Sequence, residues 1–183
     1  MQNFETPTIQ RNRRQSDYGN KTITLKSGVA GLSIKEDVGA GPVRQTTLQL
    51  TNVVLAITDD GATGHGSQEL FTFPEGVITV MGGVQDLDIT LSAGTTAQLA
   101  VGYAACNADS DLSDAGEFEF TAASTASATV ANSFKAAGND VRLNGTSTAA
   151  KAYLNLVTTG DPSSGATCTV NGTITITWRQ DGM

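Results

Sequence analysis

Residues 48–83 read LQLTNVVLAITDDGATGHGSQELFTFPEGVITVMGG, and this stretch decides the fold class. Side chains of an extended chain alternate between two faces, so Leu48 and Leu50 share one face. Val53, Leu55 and Ile57 have the opposite parity, and the apolar set changes face near Thr51-Asn52. Such a switch predicts a bulge, or a strand covered on both sides. A Gly-rich loop follows, then a short strand ending at Phe73-Pro74-Glu75-Gly76, then a strand closed by Gly82-Gly83.

Working outward, the same period recurs. Thr22 to Lys26 alternates, and Gly28, Gly31, Gly39, Gly41 and Pro42 punctuate a loop-rich passage with a short strand at Leu32 to Lys35. Leu87, Ile89 and Leu91 share a face, Ser92-Ala93-Gly94 turns the chain, and Leu99, Val101 and Tyr103 share the next; this reads as an antiparallel pair. Ala149 to Val157 is a strand, preceded by a short one at Asp140 to Leu143 and the turn dipeptide Asn144-Gly145. The last strand is the cleanest. It puts Val170, Ile174, Ile176 and Trp178 on one face and Thr169, Thr173, Thr175, Thr177 and Arg179 on the other. Within Ala123 to Ala137, Val130, Phe134 and Ala137 have helical spacing before Gly138, which predicts one short helix. Eight to ten short strands with turn signals between them make an all-β chain, the pattern of a β-sandwich or barrel, jelly-roll type included; an antiparallel, jelly-roll-like β-sandwich is the expected fold.

At 183 residues the chain suits one domain with a real core. Only 16% of residues are charged and 5% aromatic, and the net charge is −7. That balance disfavours direct nucleic-acid binding. No apolar run approaches the ~20 residues that span a bilayer, so no membrane partner is expected. Residues 1–20 differ from the rest: polar, with isolated Phe4, Ile9 and Tyr18 and a basic cluster Arg11, Arg13 and Arg14. Residues 1–21 carry +2, leaving −9 on the remainder. The expected organisation is an extended N-terminal arm, 1–20, and a β-sandwich domain, 21–183. The arm reads either as a tether for an acidic partner or a neighbouring subunit, or as a solvated tail. It has no apolar h-region, so it is not expected to be a secretory signal.

Chemistry is sparse. His65, the sole histidine, lies in Gly64-His65-Gly66-Ser67 near Asp59 and Asp60. Without a nucleophile elbow it is expected to be a loop-tip or interface residue whose ring bonds nearby backbone. Gly61 to Gly66 lacks the Lys-Ser/Thr ending of a phosphate cradle and reads as a flexible turn. Asp109, Asp111 and Asp114 open like a calcium loop, but Phe120 stands where the bidentate glutamate belongs, so a solvated acidic loop is the plainer reading. Glu117 and Glu119 share a strand face; that is the pattern of a glycosidase pair, and equally of an exposed edge strand. Trp178, Tyr18, Tyr103 and Tyr153 could line a sugar platform, although Trp178 has core parity. The sequons at Asn20, Asn144 and Asn171 read as turn residues. Cys106 and Cys168 read as small buried hydrophobes or as a disulfide. No cofactor or metal is expected.

Leu48-x-Leu50-Thr51-Asn52-Val53-Val54-Leu55, Gly64-His65-Gly66-Ser67, Phe73-Pro74-Glu75-Gly76 with Val77-x-x-Val80-x-Gly82, Tyr153-Leu154-Asn155-Leu156 and the closing Val170-Asn171-Gly172-Thr173-Ile174-x-Ile176-x-Trp178 resemble small structural proteins of tailed bacteriophages. Residues 45–178 are similar to capsid decoration, or cement, proteins. The resemblance implies a non-enzymatic virion protein, often a homotrimer, bound to the outer capsid surface, with the major capsid protein and its own copies as partners. Two other functions stay open: a tail or head-fibre protein recognising a host surface glycan, and a glycan-active enzyme using Glu117 and Glu119.

Overall fold

A computed structural model describes residues 22–40, 42–93, 96–106, 112, 116–117, 120–126, 129–134, 140–159, 162 and 165–182. Among the described residues, twelve strands form two antiparallel sheets that pack face to face as a β-sandwich. The first sheet holds β1 (Thr24–Leu25), β4 (Thr58–Asp59), β5 (Thr63–Thr72), β7 (Thr96–Gly102), β8 (Ser124–Ala126) and β11 (Lys151–Thr159), in the order β1-β5-β11-β7-β8 with β4 beside β5. The second holds β2 (Leu32–Ala40), β3 (Val43–Ala56), β6 (Gly76–Leu91), β9 (Thr129–Phe134), β10 (Val141–Gly145) and β12 (Thr167–Gly182), in the order β10-β6-β12-β3-β2 with β9 also on β6.

The face switch of β3 is a bulge, as its pattern predicts. Val53 pairs with Val170 and Leu50 with Gly172, so Thr51 and Asn52 oppose Asn171 alone. Asn52 takes φ 54° there, and its N–H donates to Asn171 Oδ1 at 2.7 Å. Leu48, Leu50, Val53 and Leu55 all reach the core. Gly172 completes the device: at φ 124° a Cβ would stand 2.2 Å from the Asp86 carbonyl oxygen.

Four sequence expectations are corrected. Gly82-Gly83 closes nothing: β6 runs through it, with Met81 left as an extra residue between the Trp178–Val80 and Thr177–Gly82 pairs. That bulge moves the buried set from Ile78 and Val80 to Gln85, Leu87 and Ile89, so one strand was read as two. Second, the segments around Leu87 and Leu99 do not pair as a hairpin. They lie in opposite sheets, and from β3 onward the chain repeatedly crosses between them. Third, β2 spans a passage read as mostly loop. Fourth, the predicted helix within 123–137 is absent; Ser124–Ala126 and Thr129–Phe134 are strands on β7 and β6. Small residues make a weak helical pattern, and tertiary pairing overrides it.

The core is sealed by aromatics. Phe73 meets Phe71, Trp178 and Phe120 edge to face, at centroid distances of 4.8, 5.5 and 5.9 Å. The indole N–H of Trp178 donates to Thr46 Oγ1 at 3.1 Å, so the buried ring leaves no polar atom stranded.

Edges are guarded. β1, β4 and β8 are two or three residues long. The longer β2 carries a bulge at Lys35 between Ile34 and Glu36, with charged Lys35, Glu36 and Asp37. Bulges and charges of this kind discourage pairing with a stray strand. Replacing Lys35 and Glu36 together by valine is expected to leave the fold intact and to make the protein aggregate on heating. Turbidity and light scattering would measure this; a soluble double variant would deny the guarding role.

Candidate interaction surfaces

The two outer faces of the sandwich differ. Along β11, Leu154 and Leu156 point into the core, while Asn155 and Val157 point outward and are nevertheless buried. The covering comes from the connection between β7 and β8. Cys106 and Leu112 from that connection pack on Ala100 and Val157, with Ala123 alongside. Asn155 pins it: Nδ2 donates to the carbonyls of Ala104 and Glu117, both at 2.8 Å. Its Oδ1 accepts from Ser67 Oγ at 2.6 Å and from the Cys106 N–H at 3.1 Å. A primary amide has two donors and one acceptor oxygen with two lone pairs, and all are engaged. Gln98 adds a further tie, accepting from the Leu112 N–H at 2.9 Å.

The outer face of the second sheet presents β12 threonines instead. Thr173, Thr175 and Thr177 are half-buried, because β3 and β6 flank them on both sides. Thr175 and Thr47 share a hydrogen bond across the sheet at 3.0 Å.

Carboxylates on the surface act as clamps between strands. Asp37 accepts from Arg44 Nε at 3.2 Å and Nη2 at 2.8 Å, and from Thr46 Oγ1 at 3.1 Å. Glu69 pairs with Lys151 at 2.9 Å and Lys26 at 3.5 Å. Asp181 accepts from Thr79 Oγ1 and pairs with Arg179. The hydroxyl of Thr79, seconded by Arg179, holds the Asp181 carboxyl below its usual value despite some desolvation. At Glu69, desolvation pushes the carboxyl upward, but Lys151 and then Lys26 outweigh it and leave it lowered. A carboxyl with a folded value below its unfolded one stabilises the fold above the unfolded value, and that contribution disappears as pH falls through the folded value. Glu69→Gln is therefore expected to melt below wild type at neutral pH, with the gap closing once the wild-type carboxyl is protonated. A melting difference that persists unchanged into acid would refute this.

The positions singled out in the sequence fare differently. Phe4, Ile9, Arg11, Arg13, Arg14 and Tyr18 lie outside the described residues, as do Asp109, Asp111, Asp114 and Glu119. His65 is not at a loop tip. It sits in β5 between Thr58 and Val157, because β5 begins at Thr63 within the glycine-rich run. Its Nδ1 is enclosed and meets no hydrogen-bond partner among the described residues. Glu117 is in a turn rather than a strand and is buried, with its carbonyl bonded to Asn155. Trp178 belongs to the core and Tyr153 to the outer face of the opposite sheet, so these two do not share a sugar platform, and Tyr18 lies outside the described residues. Asn144 is not a turn residue: it lies in β10 paired with Val77, and its Oδ1 accepts from the Thr146 N–H and hydroxyl just beyond the strand. Cys106 and Cys168 are buried in separate clusters and are not joined. Burial pushes the Cys168 thiol up to about 12. Among the described residues no group of three or more His, Cys, Asp or Glu is placed to hold a metal.

Sequence reasoning missed Asn155. Its place between Leu154 and Leu156 marks an outward side chain, and nothing local says that a distant segment covers it. The available signal was Leu112, an isolated apolar residue within the acidic run 107–116.

No family model and no curated protein matches the chain. Among solved structures it is similar to the carbohydrate-binding module TmCBM61, solved in complex with beta-1,4-galactotriose, at 12% identity and a TM-score of 0.21 over 86% of this chain and 88% of that one. At that score the likeness carries no argument about ligand or fold.

Proposed function

We propose that the chain is a non-enzymatic structural virion protein, a decoration subunit that binds the outside of a phage head and stabilises contacts between major capsid proteins. The observation that carries this reading is the use of the polar side chains. Asp37, Glu69, Asn155 and Asp181 each tie separate strands or segments together, which makes a stiff body. The resemblance of residues 45–178 to capsid decoration proteins supports it. So does the charge division between a basic arm and an acidic remainder. Arg11, Arg13 and Arg14 would meet acidic capsid surface or a sister subunit, and Phe4, Ile9 and Tyr18 would add apolar contact. Repetition over a shell multiplies individually weak contacts into firm attachment.

The test deletes residues 2–20 and compares occupancy on purified heads, and the heat and salt resistance of those heads, with the full chain. Reduced occupancy and earlier head rupture are expected. Unchanged occupancy would remove the arm from the mechanism, and glycan-dependent adhesion to host cells by the full chain would favour a fibre role instead.

A further inference from the structure

We infer that the outer face of the second sheet is a self-association surface, joining two copies of this chain about a two-fold axis. On the first sheet's outer face, Ala100 and Val157 are covered by Cys106 and Leu112 of the chain's own β7–β8 connection. The second sheet's outer face instead offers successive cross-strand rows: Asp86, Thr173, Gln49 and Ser33; Val84, Thr175, Thr47 and Glu36; Gly82, Thr177, Gln45 and Val38. β12 pairs on both sides from Cys168 to Arg179. At about 3.4 Å per residue and about 4.8 Å per strand, the face is about 40 Å by about 20 Å. That is on the order of 800 Å², the share each partner gives to a standard interface.

Composition fits. The β12 and β3 positions at the centre are threonine and glutamine, with Val84 and Val38 beside them; interface centres are depleted in charge and sheets pack there through β-branched side chains. Charges stand at opposite ends. Arg142 and Arg179 flank Thr79 at one end, where Asp181 pairs with Arg179 and leaves one positive charge in excess, and Asp86 and Asp88 mark the other. Arg179 lies four residues to one side of Thr175, and Asn171, the partner of Asp88, lies four to the other. A two-fold axis in the interface, crossing the strands at the Val84–Thr175–Thr47 row, lays each sheet over its own copy with strand direction reversed. The Arg142–Arg179 end of each subunit then covers the Asp86–Asp88 end of its partner. Opposed potentials of this kind select one register over its competitors. Two features oppose the pairing: Glu36, at the rim of the axial row, faces its own copy, and Asp181, paired with Arg179, stands at the end that covers the partner's Asp86 and Asp88.

Sedimentation equilibrium on the purified full chain tests this with no particle present, so its outcome is separate from that of the capsid reading. The wild type is expected to be a reversible dimer that weakens with salt. Thr175→Lys, an outward change at the centre, is expected to be monomeric with an unchanged far-UV spectrum. Asp88→Arg is expected to raise the dissociation constant about 10-fold, with recovery when Arg142→Asp is added to the same chain. Glu36→Gln, at an exposed rim position and independent of the central strand, is expected to tighten the dimer. A wild type that stays monomeric at all concentrations, an assembly whose mass Thr175→Lys leaves unchanged, or a double charge reversal that restores nothing would each overturn the inference.

Discussion

Asn155→Ala is expected to lower unfolding stability by about 3 kcal/mol, because buried groups stripped of their partner each cost about 1–3 kcal/mol. The carbonyls of Ala104 and Glu117 lose the Asn155 donor and the Ser67 hydroxyl loses its 2.6 Å acceptor, while the Cys106 N–H keeps its bond to Ser67 Oγ at 2.7 Å. Water entering the gap restores part of that loss, which is why the figure stays below the sum of the bonds. Asn155→Asp is expected to be worse, since a carboxylate oxygen would face two carbonyl oxygens in a buried site. Thiol labelling separates a local from a global effect. Cys106 belongs to the connection that Asn155 pins and is buried against Ala100 and Val157, whereas Cys168 lies in the main core with a thiol pushed up to about 12. In Asn155→Ala, Cys106 is expected to label faster while Cys168 stays protected until the whole sandwich unfolds. Equal acceleration at both cysteines would mean that Asn155 supports the entire fold and not the covering segment.

Trp178→Ala is expected to cost about 3–5 kcal/mol, the range for emptying a large aromatic site in a packed core. The ring touches Phe73 at its edge, and its N–H satisfies Thr46, which in turn donates to Asp37. Removing it opens a cavity between β3, β6 and β12 and breaks a chain of hydrogen bonds that runs from the core to the β2 clamp. Trp178→Phe separates these contributions: most of the volume stays and the donor goes, so about 1–2 kcal/mol is expected. Because the chain has one tryptophan, denaturation of these variants should be followed by circular dichroism rather than by indole emission. A Trp178→Ala loss below that of Trp178→Phe would contradict the assigned packing.

Much of the fold was legible where one face is buried and the other wet. The parity change from Leu48 and Leu50 to Val53 and Leu55 marked a bulge, and the bulge is there. The alternation of Thr173 to Trp178 marked a strand with one buried face, and its apolar set is fully buried. Legibility ended where structure depends on distant partners. Gly82-Gly83 looks like a terminus by local rules, yet β12 carries the ladder past it on a bulge. Leu87 and Leu99 share a period and a nearby turn, but period cannot say whether two strands pair in one sheet or face each other across a core. The stretch 123–137 offered small residues that fit either period, and pairing with β6 and β7 decided it. The interaction surfaces were least legible. An outward threonine ladder reads as ordinary solvent face, and only the contrast with a covered opposite face makes it distinctive.

The proposed function makes this polypeptide a repeated part of a particle's outer shell. Quantitative mass spectrometry of purified particles from cells that express it, before and after mild surface proteolysis, tests that claim directly. The chain is expected in stoichiometric proportion to the major capsid protein and is expected to be lost on surface digestion while the shell protein is retained. Particles devoid of the chain, or a chain protected together with the packaged genome, would contradict it.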